Sequence, residues 1–168
     1  MHWKRTLRHL LSTRSDLDRA FPPSALAAIE RAIAASEQAH SGEIRFAIES
    51  SLDPLDALRG HTPRARALQL FGELGVWDTE HNNGVLIYLL LAEHRIEIVA
   101  DRGLLRHVDA AQWQSIAHGM GAKFREGRFE DGLNDAIAAV TMLLQTHFPL
   151  AEGERNPNEL PDAPVVLG

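Results

Sequence analysis

The sequence predicts an α/β domain with helices on both sides of a small mixed sheet. Val85-Leu86-Ile87-Tyr88-Leu89-Leu90-Leu91 is an unbroken apolar block rich in strand formers and too short to span a bilayer. Such a block describes a strand buried on both faces. Ile44, Phe46 and Ile48 alternate with Glu43, Arg45 and Glu49, the period of a strand with one wetter face. Segments of helical spacing precede, separate and follow these strands.

The elements follow in order. Residues 2–12 form a short basic amphipathic segment, with Trp3, Leu7, Leu10 and Leu11 on one helical face and Lys4, Arg5 and Arg8 elsewhere. After Pro22-Pro23, Ser24 is a cap for a helix to about residue 39, with Leu26, Ile29 and Ile33 at helical spacing. Residues 51–61 read as a loop. Thr62-Pro63 starts a helix that carries Leu68, Phe71 and Leu74 inward and ends near Gly75. The second strand covers about 84–92, Glu93-His94 turns, and the third strand runs from Ile96 to Ala100. Asp109 caps a helix whose stripe of Trp113, Ile116, Met120 and Phe124 belongs to the core rather than to a cofactor box. Gly127 closes it, and a last helix runs from about Phe129 to Thr146. Four prolines after residue 148 predict an extended tail. The expected organisation is therefore an amphipathic helix and linker (1–23), one α/β domain (24–148) and a proline-rich tail (149–168).

Composition excludes several functions. The 168 residues carry 17 bases and 23 acids, a net charge of −6. Non-specific nucleic-acid binding is therefore not expected. The absence of cysteine removes disulfides, thiolate zinc sites and cysteine nucleophiles. With no run of 18 apolar residues and no long apolar segment at the N-terminus, neither a transmembrane helix nor a secretory signal is expected. A cytoplasmic protein is the simplest expectation.

Topology gathers polar residues. A right-handed β-α-β crossover makes the first two strands parallel, and the hairpin brings the third back beside the second. The start of strand one, the start of strand two and the end of strand three then share one rim. That rim collects Glu43, Asp78, Glu80, Asn82, Asn83, Asp101 and Arg102. Carboxylates and amide oxygens suit a hard cation, Ca²⁺ or Mg²⁺. The same Asp and Asn residues also suit an ordinary turn, and Glu43 reads as a solvated charge. His40 and His81 lie near the rim, where a catalytic histidine is one reading and a solvated one the simpler, and the nine histidines contain no i,i+4 pair. No Walker loop, Gly-x-Gly-x-x-Gly or Gly-x-Ser-x-Gly is present.

Phe71 to Gly84 with Val85-Leu86-Ile87, Asp101-Arg102-Gly103-Leu104, the segment Phe124 to Leu133, and Ser41-Gly42-Glu43-Ile44 together resemble the TPM domain, also called the TPM phosphatase domain, over about 24–146. The resemblance implies a three-layer α/β/α sandwich around a small mixed β-sheet. Plant members of that family include a thylakoid-lumen acid phosphatase and a protein linked to photosystem II repair. Some members bind divalent cations at acidic loops, which implies Asp78, Asn82, Asn83 and Asp101 here, with Glu43 a secondary candidate. The ending, His147-Phe148-Pro149 and Asn156 to Asp162, is similar to a soluble bacterial subgroup. Bacterial relatives are often encoded near LemA-type membrane proteins.

Two functions are consistent with these residues. One is a weak phosphomonoesterase in which Asp78 and Asp101 hold Ca²⁺ or Mg²⁺, Asn82 or Asn83 orients phosphate and Arg102 stabilises charge. The other is a non-catalytic cation- or protein-binding module working with a membrane protein complex. Residues 1–14 contain Lys4, Arg5, Arg8 and Arg14 and no acid. The first helix is expected to pack its apolar face on the domain, with in-plane contact to anionic membrane as the alternative.

Overall fold

The computed structural model describes residues 3–12 and 14–168, and of Trp3, Lys4 and Arg8 the backbone only. Expectations that rest on those three side chains lie outside the described residues. The helices are α1 (Trp3–Leu11), α2 (Arg14–Ala20), α3 (Pro23–Glu37), α4 (Pro54–Leu58), α5 (Pro63–Glu73), α6 (Arg102–Leu105), α7 (Ala110–Arg125) and α8 (Phe129–His147). The strands are β1 (Glu43–Glu49), β2 (Gly84–Leu90), β3 (Arg95–Ala100) and β4 (Val165–Leu167).

The sheet order is β3-β2-β1-β4. β1 and β2 run parallel, and β3 is antiparallel to β2, as the crossover and hairpin require. One strand was not expected: the tail returns to pair β4 parallel with β1. Side chains alternate between two cores. Ile44, Phe46, Ile48, Val85, Ile87 and Leu89 pack under α3, α7 and α8. Ala47, Leu86, Tyr88, Leu90 and Val99 pack with Leu70, Val76 and Leu160 on the other face. The result is the three-layer α/β/α sandwich, with β2 buried on both sides. Each fully buried aliphatic side chain contributes about 1.5–3 kcal/mol.

Local signals explain the boundaries. Thr62 Oγ1 accepts from Ala65 N at 3.1 Å, and Pro63 supplies the first turn of α5. Asp109 and Gln112 form a reciprocal capping box for α7. Gly127 takes φ +76° just beyond that helix. Between β2 and β3 a single 3₁₀ turn, Leu91–Glu93, replaces the expected two-residue turn, and His94 takes φ 50°.

Several expectations are corrected. Leu68 is 52% exposed, and Ala67 and Leu70 face the core instead. The loop after β1 contains α4, capped by Asp53. The wetter face of β1 is not wet: Glu43, Arg45 and Glu49 are all buried. Glu49 is held by Arg66 Nε at 3.0 Å and by Tyr88 OH at 2.6 Å, so its charge is paired rather than solvated. Burial and the Glu49 carboxylate push the Tyr88 hydroxyl pKa well up.

Helix α1 docks by its polar side. Arg5 Nε donates to Glu93 Oε1 at 2.8 Å and Nη1 to Ala57 O at 3.0 Å. His9 Nδ1 accepts from Leu52 N at 3.1 Å, which leaves Nε2–H to donate to Glu93 Oε1 at 2.9 Å. Leu7, Leu10 and Leu11 point outward at 42%, 59% and 68% exposure. The expected burial of the apolar face is therefore reversed at Leu7, Leu10 and Leu11. Two inward hydrogen-bonding side chains and a shared carboxylate decide the docking.

Candidate cation site at the sheet rim

Glu43 pairs with Gly84 across β1 and β2, and Asp101 N donates to Gly84 O at 2.9 Å. Glu43, Gly84 and Asp101 therefore occupy one rung and, by alternation, one face. Two inter-strand steps separate the Glu43 and Asp101 Cα atoms by about 10 Å. The middle position is glycine because the Val76 carbonyl fills the place of its side chain: a Cβ on Gly84 would overlap Val76 O. A backbone carbonyl thus lies between two carboxylates.

Both carboxylates are buried, and each keeps one free oxygen. Glu43 Oε2 accepts from Leu160 N at 3.1 Å, while Oε1 has no partner among the described residues. Asp101 Oδ1 caps α6 by accepting from Arg102 N at 2.6 Å, while Oδ2 has no partner among the described residues. The expectation of a solvated Glu43 is corrected: it is fully buried, and Asp101 is only 8% exposed.

Asn83 lies one residue before the shared rung, also buried. Its N–H donates to Thr79 Oγ1 at 3.1 Å and its Nδ2 to Ser41 O at 3.0 Å, leaving Oδ1 unpartnered. Asn82 takes φ 53°, and its Oδ1 accepts from exposed Arg102 Nε at 2.7 Å. Gly103 N donates to Asn82 O at 2.9 Å, and a Cβ on Gly103 would overlap that oxygen, so loop and α6 pack closely. Asp78 is exposed, and its N–H donates to Gly75 O at 2.9 Å. Glu80 N donates to the Glu159 carboxylate at 3.0 Å. The rung unites Glu43 and Asp101; Asp78 stays on the loop outside it.

Sequence reasoning missed the neighbours on the β1 side. Glu37 Oε1 accepts from Ile44 N at 2.8 Å. Burial, with Glu43 and Asp162 nearby, pushes its carboxyl up to about 9. Burial also raises Glu43, and lowers Arg45 against the opposing pull of Asp162 and Glu37. His40, expected to be solvated, is fully buried between Gly42 O at 3.1 Å and Ser36 Oγ at 2.9 Å, and burial lowers its pKa to about 4. The tail straps this cluster. Asn156 Nδ2 donates to His40 O and Gly42 O, both at 2.9 Å, and Arg45 Nη1 donates to Pro161 O and Ala163 O. The only sequence signal was an Asn-Pro-Asn turn far along the chain.

Among the described residues no three His, Cys, Asp or Glu side chains come together as metal ligands. Glu43, Asp101 and Asn83 each keep an oxygen without a partner among the described residues, and oxygen donors in general suit a hard cation rather than zinc. Among the described residues no helix is long and apolar enough to cross a membrane.

Layers, strand order and rim define a small α/β/α domain with an oxygen-lined loop edge. The sequence pattern of the TPM domain matches residues 15–143, and the chain belongs to the TPM domain family. It is similar to the BA42 protein of the psychrophilic bacterium Bizionia argentinensis, with 31% identity over 83% of this chain and 90% of that one, at a TM-score of 0.67. It shares its fold with the N-terminal domain of a P. gingivalis protein, at 22% identity, 78% and 83% coverage, and a TM-score of 0.60. No curated protein matches the chain.

Proposed function

We propose that this TPM-domain protein binds a divalent cation, Ca²⁺ or Mg²⁺, at the rung of Glu43, Gly84 and Asp101, and hydrolyses phosphomonoesters slowly there. The supporting observation is the pair of buried carboxylate oxygens without partners on either side of the Val76 carbonyl. A buried polar oxygen without a partner costs about 1–3 kcal/mol, which a ligand at the rim would offset. When bound, such a cation would neutralise phosphate charge and lower the pKa of a bound water. Asp101 is fixed by its capping bond, so its other oxygen is held in place. Asn82 orients the Arg102 guanidinium at the exposed lip, where it can pair with phosphate oxygens. Asp78, exposed on the same loop, supplies a further carboxylate when substrate and cation are present. The test is p-nitrophenyl phosphate turnover with Mg²⁺ or Ca²⁺. Turnover should exceed that of Asp78→Ala and Asp101→Asn; equal rates in all three proteins end the reading.

A second reading is a non-catalytic module working with a membrane protein complex, such as a LemA-type partner. The observation favouring it is the outward apolar face of α1. Sedimentation with anionic vesicles tests membrane contact, and equal partitioning of the full chain and a chain starting at Pro22 excludes it. Co-purification in mild detergent tests the protein partner.

A further inference from the structure

The sheet has an open edge on the side away from the tail. Strand order makes β3 the outer strand. Because Asp101 N pairs with Gly84 O, antiparallel alternation turns the N–H and C=O groups of Val99, Glu97 and Arg95 toward β2. Those of Ile96, Ile98 and Ala100 then face outward. Arg64 Nη1 meets one of them, donating to Ile98 O at 2.6 Å.

A trough of about 540 Å³ follows this edge, touching every residue of β3 except Val99. Arg64 of α5 stands on one side and Trp113, Ala117 and Gly121 of α7 on the other. The slot lies between the two helical layers, where a further strand would continue the sheet. Its rim is basic: Arg64, Arg95 and Arg125 are all exposed. The acid among them, Glu97, lies 3.9 Å from Arg64 and 3.5 Å from Arg95, so positive charge remains in excess. Trp113, only 5% exposed, has an indole N–H with no partner among the described residues.

We propose that the β3 edge docks an extended, acidic peptide segment of a partner protein, which adds to the sheet as an outer strand. Its main chain bonds to Ile96, Ile98 and Ala100, and its carboxylates meet Arg64, Arg95 and Arg125. Arg64 exchanges the Ile98 carbonyl for a peptide carboxylate, releasing that carbonyl to the new ladder. Main-chain bonds give such docking its affinity and side-chain charge gives its selectivity. A second copy of this chain would oppose one arginine-lined rim with another, which is the charge device that keeps open edges from self-pairing. A compact anion would use the arginines but leave the outward amides unpaired.

The test uses the full chain and three labelled peptides. One alternates Val or Thr with Glu, one has Lys in place of Glu, and one is the Glu peptide N-methylated at alternate residues. By fluorescence anisotropy the Glu peptide should bind. Binding should weaken about tenfold or more on N-methylation and in Arg95→Glu plus Arg125→Glu, two exposed positions outside the core. Backbone NMR should show the Ile96, Ile98 and Ala100 amides shifting and gaining protection from exchange. Failure of the Glu peptide to bind, equal binding of the Lys or N-methylated peptide, or a concentration-dependent dimer joined through β3 overturns the proposal. Should the double variant lose its circular dichroism, the N-methylated peptide decides.

Discussion

Glu37→Gln should make the protein more stable at neutral pH, by an amount that grows with pH. Glu37 is buried beside Glu43 and Asp162, and its carboxyl is pushed from 4.5 up to about 9. Below pH 4.5 the proton is present in both folded and unfolded chains, and the group adds no pH dependence. Above it the unfolded chain loses the proton while the folded chain keeps it, and stability falls until about pH 9. The slope is about 1.4 kcal/mol per pH unit for one proton. From pH 5.5 to 7.5 that removes roughly 2–3 kcal/mol, or roughly 5–10 °C of Tm for a domain of this size. Glutamine keeps the carbonyl that accepts from Ile44 N and turns an amide N–H toward Asp162, without a titrating proton. Thermal unfolding of both proteins across that range is the assay. The curves should coincide near pH 4.5 and separate as pH rises. Parallel curves would show that Glu37 ionises freely in the folded chain and would refute its retention of the proton.

Other substitutions probe other layers. Trp113→Ala should cost about 3–5 kcal/mol in urea unfolding, because the indole is buried between α7 and the sheet; a small loss would place that stripe outside the core. Gly84→Ala should cost about 1–3 kcal/mol by forcing a methyl into the Val76 carbonyl, and should weaken cation binding; unchanged stability would mean the carbonyl is not seated there. Arg45→Met keeps the side-chain volume but removes the donors to Pro161 and Ala163, so limited proteolysis should cut the tail sooner; an unchanged cleavage rate would show that the strap is held elsewhere.

What the sequence made legible was local or periodic. The apolar block places β2 in the centre of the sheet, and Thr62 and Asp109 mark helix starts because their caps lie three residues from their partners. The rim follows from strand direction alone, so Glu43, Asn83 and Asp101 meet the same edge. The remainder depends on contacts distant in the chain. Glu43, Arg45 and Glu49 carry the alternation of a solvated face, but the tail, more than a hundred residues away, covers the first two, while Arg66 and Tyr88 satisfy the third. β4 has three residues and no alternation to read. A helical period shows that α1 has two faces, not which one docks; Glu93, distant in sequence, receives Arg5 and His9. Nothing local to His40 signals its burial, because Asn156, more than a hundred residues on, straps the backbone around it.

The most direct test of the cation site is a Ca²⁺ and Mg²⁺ titration of the full chain followed by backbone NMR, repeated with Asp101→Asn. Asparagine still accepts from Arg102 N and so keeps the α6 cap while removing the charge. Saturable shifts should appear at Glu43, from Val76 to Gly84 and at Asp101, and should vanish in the variant. Shifts that are absent, scattered over the surface, or unchanged by the substitution would contradict a cation site at this rim.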